Sequence, residues 1–525
     1  MSLSRKPFLG TVTSLAMIVI LVLGSIGCFT NYIRISRNLT KTDDVRKLDK
    51  ESSYLKAHMM DGKVYVLSDW AWDEKAKIVS GQGRLFDFNR QEIGQGLFKI
   101  PLDGVALFET NRLSPSEHLP YMITLGVLSA AGSIYCITNP KACFGSCPTF
   151  YVSDGENMIL QAEGFSSSVA RVLEARDIDA LFRAVPTGPN LEVRLTNEAM
   201  ETHVIRYADL LAVRRPSNGR AFVTPDGRFW QASGIRAVES ATGPEGDVTH
   251  LLRVFDGRER FSATDGRDLA SREVLNLRFT DFPQEKAGLV LAFRQTLLTT
   301  YLFYQELAYL GSSAGYWFAQ LERGDPKARD MATGLWSLLG GIEIEAESGN
   351  GRWVRVGEIN ETGPIATDVQ VVPLPAGLRP TGRVRLKMAR GMWRIDFAAI
   401  AQLERTVDPI PISPSVVLKE GRPDEDVARR LRDRTEPLVT LPGDSYTLLY
   451  DLPDNFRDYE LFLDSRGYYL EWMRSEWLKE ENLAKAMMIF RRPAAFLKAT
   501  APAYKAVEPE MEKTFWSSKY VRTSY

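Results

Sequence analysis

The chain has 525 residues, with 65 Lys and Arg against 66 Asp and Glu, a formal net charge of -1, and 44% hydrophobic residues. That balance excludes a global field drawing it to nucleic acid or to an acidic surface. The length suits roughly three domains, and four cysteines are too few for a small disulfide scaffold.

Taken in chain order, Arg5 and Lys6 precede an uncharged run over 7–33. This has the basic and apolar regions of an export signal, so 1–33 is expected to be a signal or membrane anchor. Cys28 follows Ser25, Ile26 and Gly27. The pattern resembles a bacterial lipobox, which implies lipidation at Cys28. The rival reading is an uncleaved helix, since about 20 apolar residues span a bilayer. Both place the chain in a bacterial cell envelope, held at a membrane. Residues 51–113 hold four or five short alternating runs around Asp61-Gly62 and Asp103-Gly104, which predict a small β-barrel-like domain. A second uncharged run, 119–140, is long enough to cross a membrane. It is also suited to a close-packed apolar helix, through Gly126, Ala130, Ala131 and Gly132.

Three of the four cysteines, Cys136, Cys143 and Cys147, lie within twelve positions. Export favours a Cys143–Cys147 disulfide over free thiols, a metal site or a redox pair. His58, His118, His203 and His250 are scattered, whereas zinc sites group their Cys and His ligands in spaced pairs. No cofactor or metal is therefore expected. Residues 141–285 read as a β-rich domain, with hairpins expected at Asp154, Asp226, Asp256 and Asp265. Helical spacing predicts a helix over 166–184. Glu198, Glu201 and His203 form a polar cluster on a predicted strand. Glu201 and His203 share a face there, in position for acid/base or metal chemistry or simply for solvation.

Residues 287–330 are a helical segment, with a broad apolar face from Leu297 to Leu310 and a break at 311–315. Residues 335–478 read as a β-sandwich with a Pro-rich insertion, and 479–525 as a C-terminal helical tail. Trp353 and Trp393 are candidate ligand-stacking aromatics or core residues.

Two resemblances accompany these readings. Cys143, Phe144, Gly145, Cys147, Pro148, Tyr151, Asp154, Gly155 and Gly164 resemble a CFGSCP-motif domain of uncharacterised bacterial envelope lipoproteins. Trp393, Asp396, Gly443, Asp444, Arg457, Asp458, Gly467, Tyr468 and Tyr469 resemble the C-terminal region of ASPIC/UnbV-type repeat proteins, which implies a β-sandwich. Neither resemblance implies catalysis. No phosphate loop, H-E-x-x-H or dinucleotide fingerprint occurs, and the G-x-S-x-G string from Gly311 to Gly315 breaks a helical segment rather than following a strand, so it does not read as a nucleophile elbow. The expected function is non-catalytic binding of a protein or glycan partner by a membrane-anchored envelope protein. The alternative is an envelope hydrolase with an unrecognised carboxylate site.

Overall fold

A computed structural model describes residues 34–114 and 147–519, apart from 41, 49, 51, 53, 60–62, 87–91, 187, 198–200, 284, 323–325, 361–362, 377, 379, 435, 441–443 and 473–474. The expected anchor at 1–33 with Cys28, the run at 119–140, Cys143 and Glu198 lie outside the described residues. Among the described residues no helix is long and apolar enough to cross a membrane. The fold is mainly β with a few helices, as expected.

An N-terminal antiparallel sheet carries, in spatial order, Arg34–Thr40, Val105–Ser114, Leu55–Met59, Val64–Asp73, Ile78–Phe86 and Glu92–Pro101. Leu55, Ala57, Leu67, Val79, Ile100, Val105 and Phe108 close its core with Val45 and Leu48. Its described strands pair in an open path. A closed barrel of five strands lies elsewhere: Gly219–Val223, Phe229–Ala237, Trp393–Val407, Ala287–Gln295 and Asp368–Pro373 pair in a ring.

Two further sheets form a sandwich. The outer sheet holds Val416–Lys419, Ser445–Asp451, Asn190–Thr196, Thr149–Ser153 and Met158–Glu163, with Arg422–Pro423 at its edge. The middle sheet holds Ile410–Ile412, Glu201–Arg214, Tyr459–Glu471 and Ala175–Ala180, and Leu438–Thr440 also pairs with Glu201–Arg214. Phe150, Val193 and Leu195 of the outer sheet meet Ile205, Leu210 and Leu463 of the middle one. The other face of the middle sheet, through Leu211, Val213 and Phe462, packs on barrel residues such as Val290, Ala292 and Val371. A fifth sheet of Gly246–Asp247, Ser240–Gly243, Arg272–Arg278, Pro380–Ala389, Ile342–Ser348 and Trp353–Ile359 shares the largest core with the barrel and the helices.

The helices are α1 (Leu298–Leu310), α2 (Ala314–Glu322), α3 (Pro326–Leu339), α4 (Glu425–Asp433), α5 (Ser475–Lys479), α6 (Leu483–Arg491) and α7 (Pro493–Lys519). Residues 219–407 form a block inserted between the two halves of the sandwich, 147–214 and 410–471. Strands on either side of the expected breaks near 285 and 335 therefore share sheets, Ala287–Gln295 with Trp393–Val407 for example. Trp393 and Asp396 lie in the barrel, and Asp444 to Tyr469 in the sandwich.

The helix expected over 166–184 is corrected. Only the 3-10 turn Arg171–Leu173 forms there, and Ala175–Ala180 is an edge strand. Asp177 and Asp179 alternate with Ile178 and Ala180, a period of two that overrides the local helical spacing. The hairpins at Asp154 and Asp226 join paired strands. Gly155 and Gly227 there take φ of +99° and +79°, which suit glycine. Asp256 and Asp265 instead turn loops between unpaired strands: each accepts the N–H two residues on, from Arg258 at 3.0 Å and Arg267 at 2.7 Å.

Candidate functional site

The predicted polar cluster is a sealed internal strut. His203 Nε2 lies 3.1 Å from Glu201 Oε2, which also accepts the Cys147 backbone N–H at 3.0 Å. Both side chains are fully buried. Burial pushes His203 down to about 3, so the imidazole is neutral, with Nε2 facing the Glu201 carboxyl. Cys147 takes φ +68°, and the strut holds this left-handed turn at the entry to Thr149–Ser153. The Cys147 side chain hydrogen-bonds Glu163. Among the described residues no group of three or more His, Cys, Asp or Glu is placed to hold a metal.

The candidate stacking aromatics are separated. Trp393 is buried in the large core against Phe293, with ring centroids 6.0 Å apart. Trp353 sits on an edge strand with the Arg385 guanidinium 4.3 Å from its ring centre. An open dish of about 440 Å³ lies on the hairpin around Lys419 and Arg422. Its walls are surface turn residues, with no buried group converging on it.

The site with more chemistry is a cavity of about 260 Å³ at the seam between the sandwich and the helices. α1 supplies Thr299, Thr300, Phe303, Tyr304 and Glu306, whose spacing of three and four puts them on one face. Trp317 and Leu321 come from α2, and Thr333 and Trp336 from α3. The sandwich supplies Tyr469 and the loop bearing Ser166, Ser167, Val169 and Leu173. Tyr469 donates through its hydroxyl to Ser166 O at 2.9 Å, which ties that loop to the strand. Trp317 stacks on Phe490 of α6, with centroids 5.1 Å apart and planes 10° apart, so its ring is held from behind. Ser167 and Thr333 are exposed and mark the mouth.

Pro364 completes the wall, and a buried carboxyl fixes it. Glu163 Oε2 accepts from Ile365 N at 2.6 Å and Ala366 N at 3.1 Å, and Arg294 Nη1 donates to Pro364 O at 2.9 Å. Glu163 belongs to a cluster of acids with Asp177, Asp179 and Asp368 where middle sheet, outer sheet and barrel meet. Burial pushes Glu163 up to about 8 against those two N–H donors, and Asp177 up to about 7 with help from Asp368. Asp368 rises to about 6, and Asp179 well above the carboxylate range, for the same first reason.

Inside the cavity wall, Glu306 is only 4% exposed and has no hydrogen-bond or ion-pair partner among the described residues. Burial alone pushes its carboxyl up to about 8. Desolvating a carboxylate without compensation is costly, so the group stays protonated at neutral pH. The arrangement is an aromatic-lined chamber with one poised carboxyl, the form small-ligand sites take at domain seams. Glu306 stands in the sequence as one charge inside an apolar helix. Its signal is the i, i+4, i+7 series Thr299, Phe303, Glu306, which puts the charge on one face of an otherwise apolar helix.

No family model and no curated protein matches the chain. Among solved structures, a similar one is the crystal structure of BuGH86wt in complex with neoagarooctaose, at 9% identity and a TM-score of 0.16 over 43% of this chain. The match spans 33%, about a third, of that protein's length. A likeness of that size carries no argument about fold or function.

Proposed function

We propose that this chain is a non-catalytic binding protein of the bacterial cell envelope. It holds a small, mainly apolar ligand in the seam cavity, and its N-terminal run keeps it at the membrane. The observation that carries the binding reading is the aromatic-lined cavity of about 260 Å³ with the Glu306 carboxyl in its wall. A cavity of about 150 Å³ takes a benzene ring, so this one accommodates a ring with a short side chain. Hydrolysis of glycosidic bonds needs two carboxyl groups facing one substrate, and among the described residues one lines this chamber. The hydrolase alternative centred on Glu198, Glu201 and His203 has less support, because Glu201 and His203 are sealed from solvent. Support for the envelope comes from the basic and apolar N-terminus and from the small residues before Cys28.

The test is ligand-detected NMR on the full chain with 2-phenylethanol as a neutral probe. Saturation transfer is expected for the wild type and lost in Thr300→Phe, which adds a ring to the cavity wall while far-UV circular dichroism stays unchanged. Equal transfer to both proteins means that the probe binds elsewhere and that the cavity is not the site.

A further inference from the structure

We infer that the cavity selects an organic monocation, an amine with an apolar or aromatic body, and that Glu306 supplies its counter-charge. The inference rests on the binding reading above and adds the class of ligand. Three observations converge on it. Among the described residues Glu306 is the one charged side chain lining the chamber, and nothing pairs with it. Aromatic rings come from three directions: Phe303 from α1, Trp317 and Trp336 from the helices above, and Tyr469 from the sandwich. Ring faces attract cations, more so where water is excluded. The mouth residues Ser167 and Thr333 are uncharged.

An ammonium entering this space gives the carboxyl the partner that the protein withholds. The cost of a buried, unpaired carboxylate is then replaced by a desolvated ion pair flanked by rings. Protons must balance. The free protein carries Glu306 protonated at pH 7, because burial holds it up to about 8. An ammonium displaces that proton to solvent and leaves the carboxylate paired. Binding of a cation therefore releases one proton below pH 8, and affinity rises about tenfold per pH unit from 6 toward 8. A neutral ligand that only accepts a hydrogen bond from the carboxyl shows the reverse, weakening above pH 8. The other titratable groups lining the chamber are the phenols of Tyr304 and Tyr469. Burial raises Tyr469 well above its usual range, so it does not ionise in this window.

Calorimetry on the full chain with 2-phenylethylammonium and with 2-phenylethanol, nearly the same shape without the charge, separates the readings. The ammonium is expected to bind at least tenfold more tightly at pH 8 and to release close to one proton at pH 7. That release is measured by repeating the titration in two buffers of different ionisation heat. In Glu306→Gln the preference and the proton release vanish while 2-phenylethanol still binds. Proton release is read on the wild type, so the test stands even if the variant folds poorly. Equal binding of the two probes, or tighter binding of the alcohol, overturns the cation assignment and leaves the cavity as a ligand site. Binding of neither overturns both.

Discussion

Glu201 and Glu306 are both buried carboxyls, and their surroundings give them opposite uses. Glu201 accepts from the Cys147 backbone N–H and pairs with His203, so its carboxyl is satisfied inside the fold. Glu306 faces the cavity, with no partner among the described residues. The acids at the three-sheet seam are a third case, in which like charges crowd together. Their raised proton affinity makes stability depend on pH, with a sign that can be worked out. Between the ordinary carboxylate range and their folded values, Glu163, Asp177, Asp179 and Glu306 keep protons that the unfolded chain has lost. Stability is therefore lost as pH rises toward 8, by about 1.4 kcal/mol per pH unit for each group in transition. His203 acts oppositely and lower down. The unfolded chain takes up its proton below about pH 6.5 while the fold refuses it down to about 3, so stability falls as pH drops through that window. Above the His203 window, the raised acids titrate between pH 6.5 and 8. Thermal unfolding should show Tm falling across that range. Asp179→Asn, which mimics the protonated acid, should raise Tm at pH 8 on the order of 1–3 °C and flatten the profile. An unchanged profile would mean that these carboxyls are hydrated rather than buried.

Helix α1 decides where Glu306 points, and its end is set by one residue. Gly311 takes φ +48°, and an added Cβ would lie 2.5 Å from Glu481 Cγ. Glu481 in turn accepts from Ser312 N at 2.8 Å and Ser312 Oγ at 2.7 Å, joining the α1–α2 corner to the α5–α6 connection. Gly311→Ala should cost about 1–3 kcal/mol in urea unfolding through backbone strain and this close approach. A loss below a few tenths would show that the corner relaxes freely. Much of this element is legible in the sequence. The apolar face from Leu297 to Leu310 and the break at 311–315 match α1, the short turn Gly311–Ser313 and α2. Arg294 and Gln295, which look like the start of the helix, end a barrel strand instead, because their N-terminal neighbours are buried on both faces. The cavity is not legible from this segment, since its opposite walls come from Ser166 to Leu173, Pro364 and Tyr469, far along the chain. The edge strand Ala175–Ala180 was equally hidden. Its pairing with Tyr459–Glu471 is a contact across nearly 300 residues.

At the scale of the whole molecule, the N-terminal sheet touches the sandwich. The His58 and Trp472 rings meet edge to face with centroids 5.9 Å apart, and Lys56 Nζ lies 4.8 Å from the Trp472 ring centre. Arg34 pairs with Ser114, so the chain enters and leaves that sheet through adjacent strand ends. Residues on opposite faces of a bilayer cannot make such contacts. The described residues before 115 and after 146 therefore lie on one side of any bilayer. Reporter fusions after Gly62 and after Gly227 should give the same compartment, and opposite compartments would contradict the contact. The architecture follows from the same long-range logic. A barrel, a fifth sheet and three helices are inserted between the halves of a sandwich, and the seam left between insertion and host is where the cavity lies.

The central claim is that this seam holds a ligand against Glu306. A crystal structure of the full chain with 2-phenylethylammonium tests it most directly. The probe is expected inside the chamber, its nitrogen about 2.7–3.2 Å from a Glu306 carboxylate oxygen and its ring among Phe303, Trp317 and Trp336. A chamber filled only by water, with the probe bound elsewhere or absent, would contradict it.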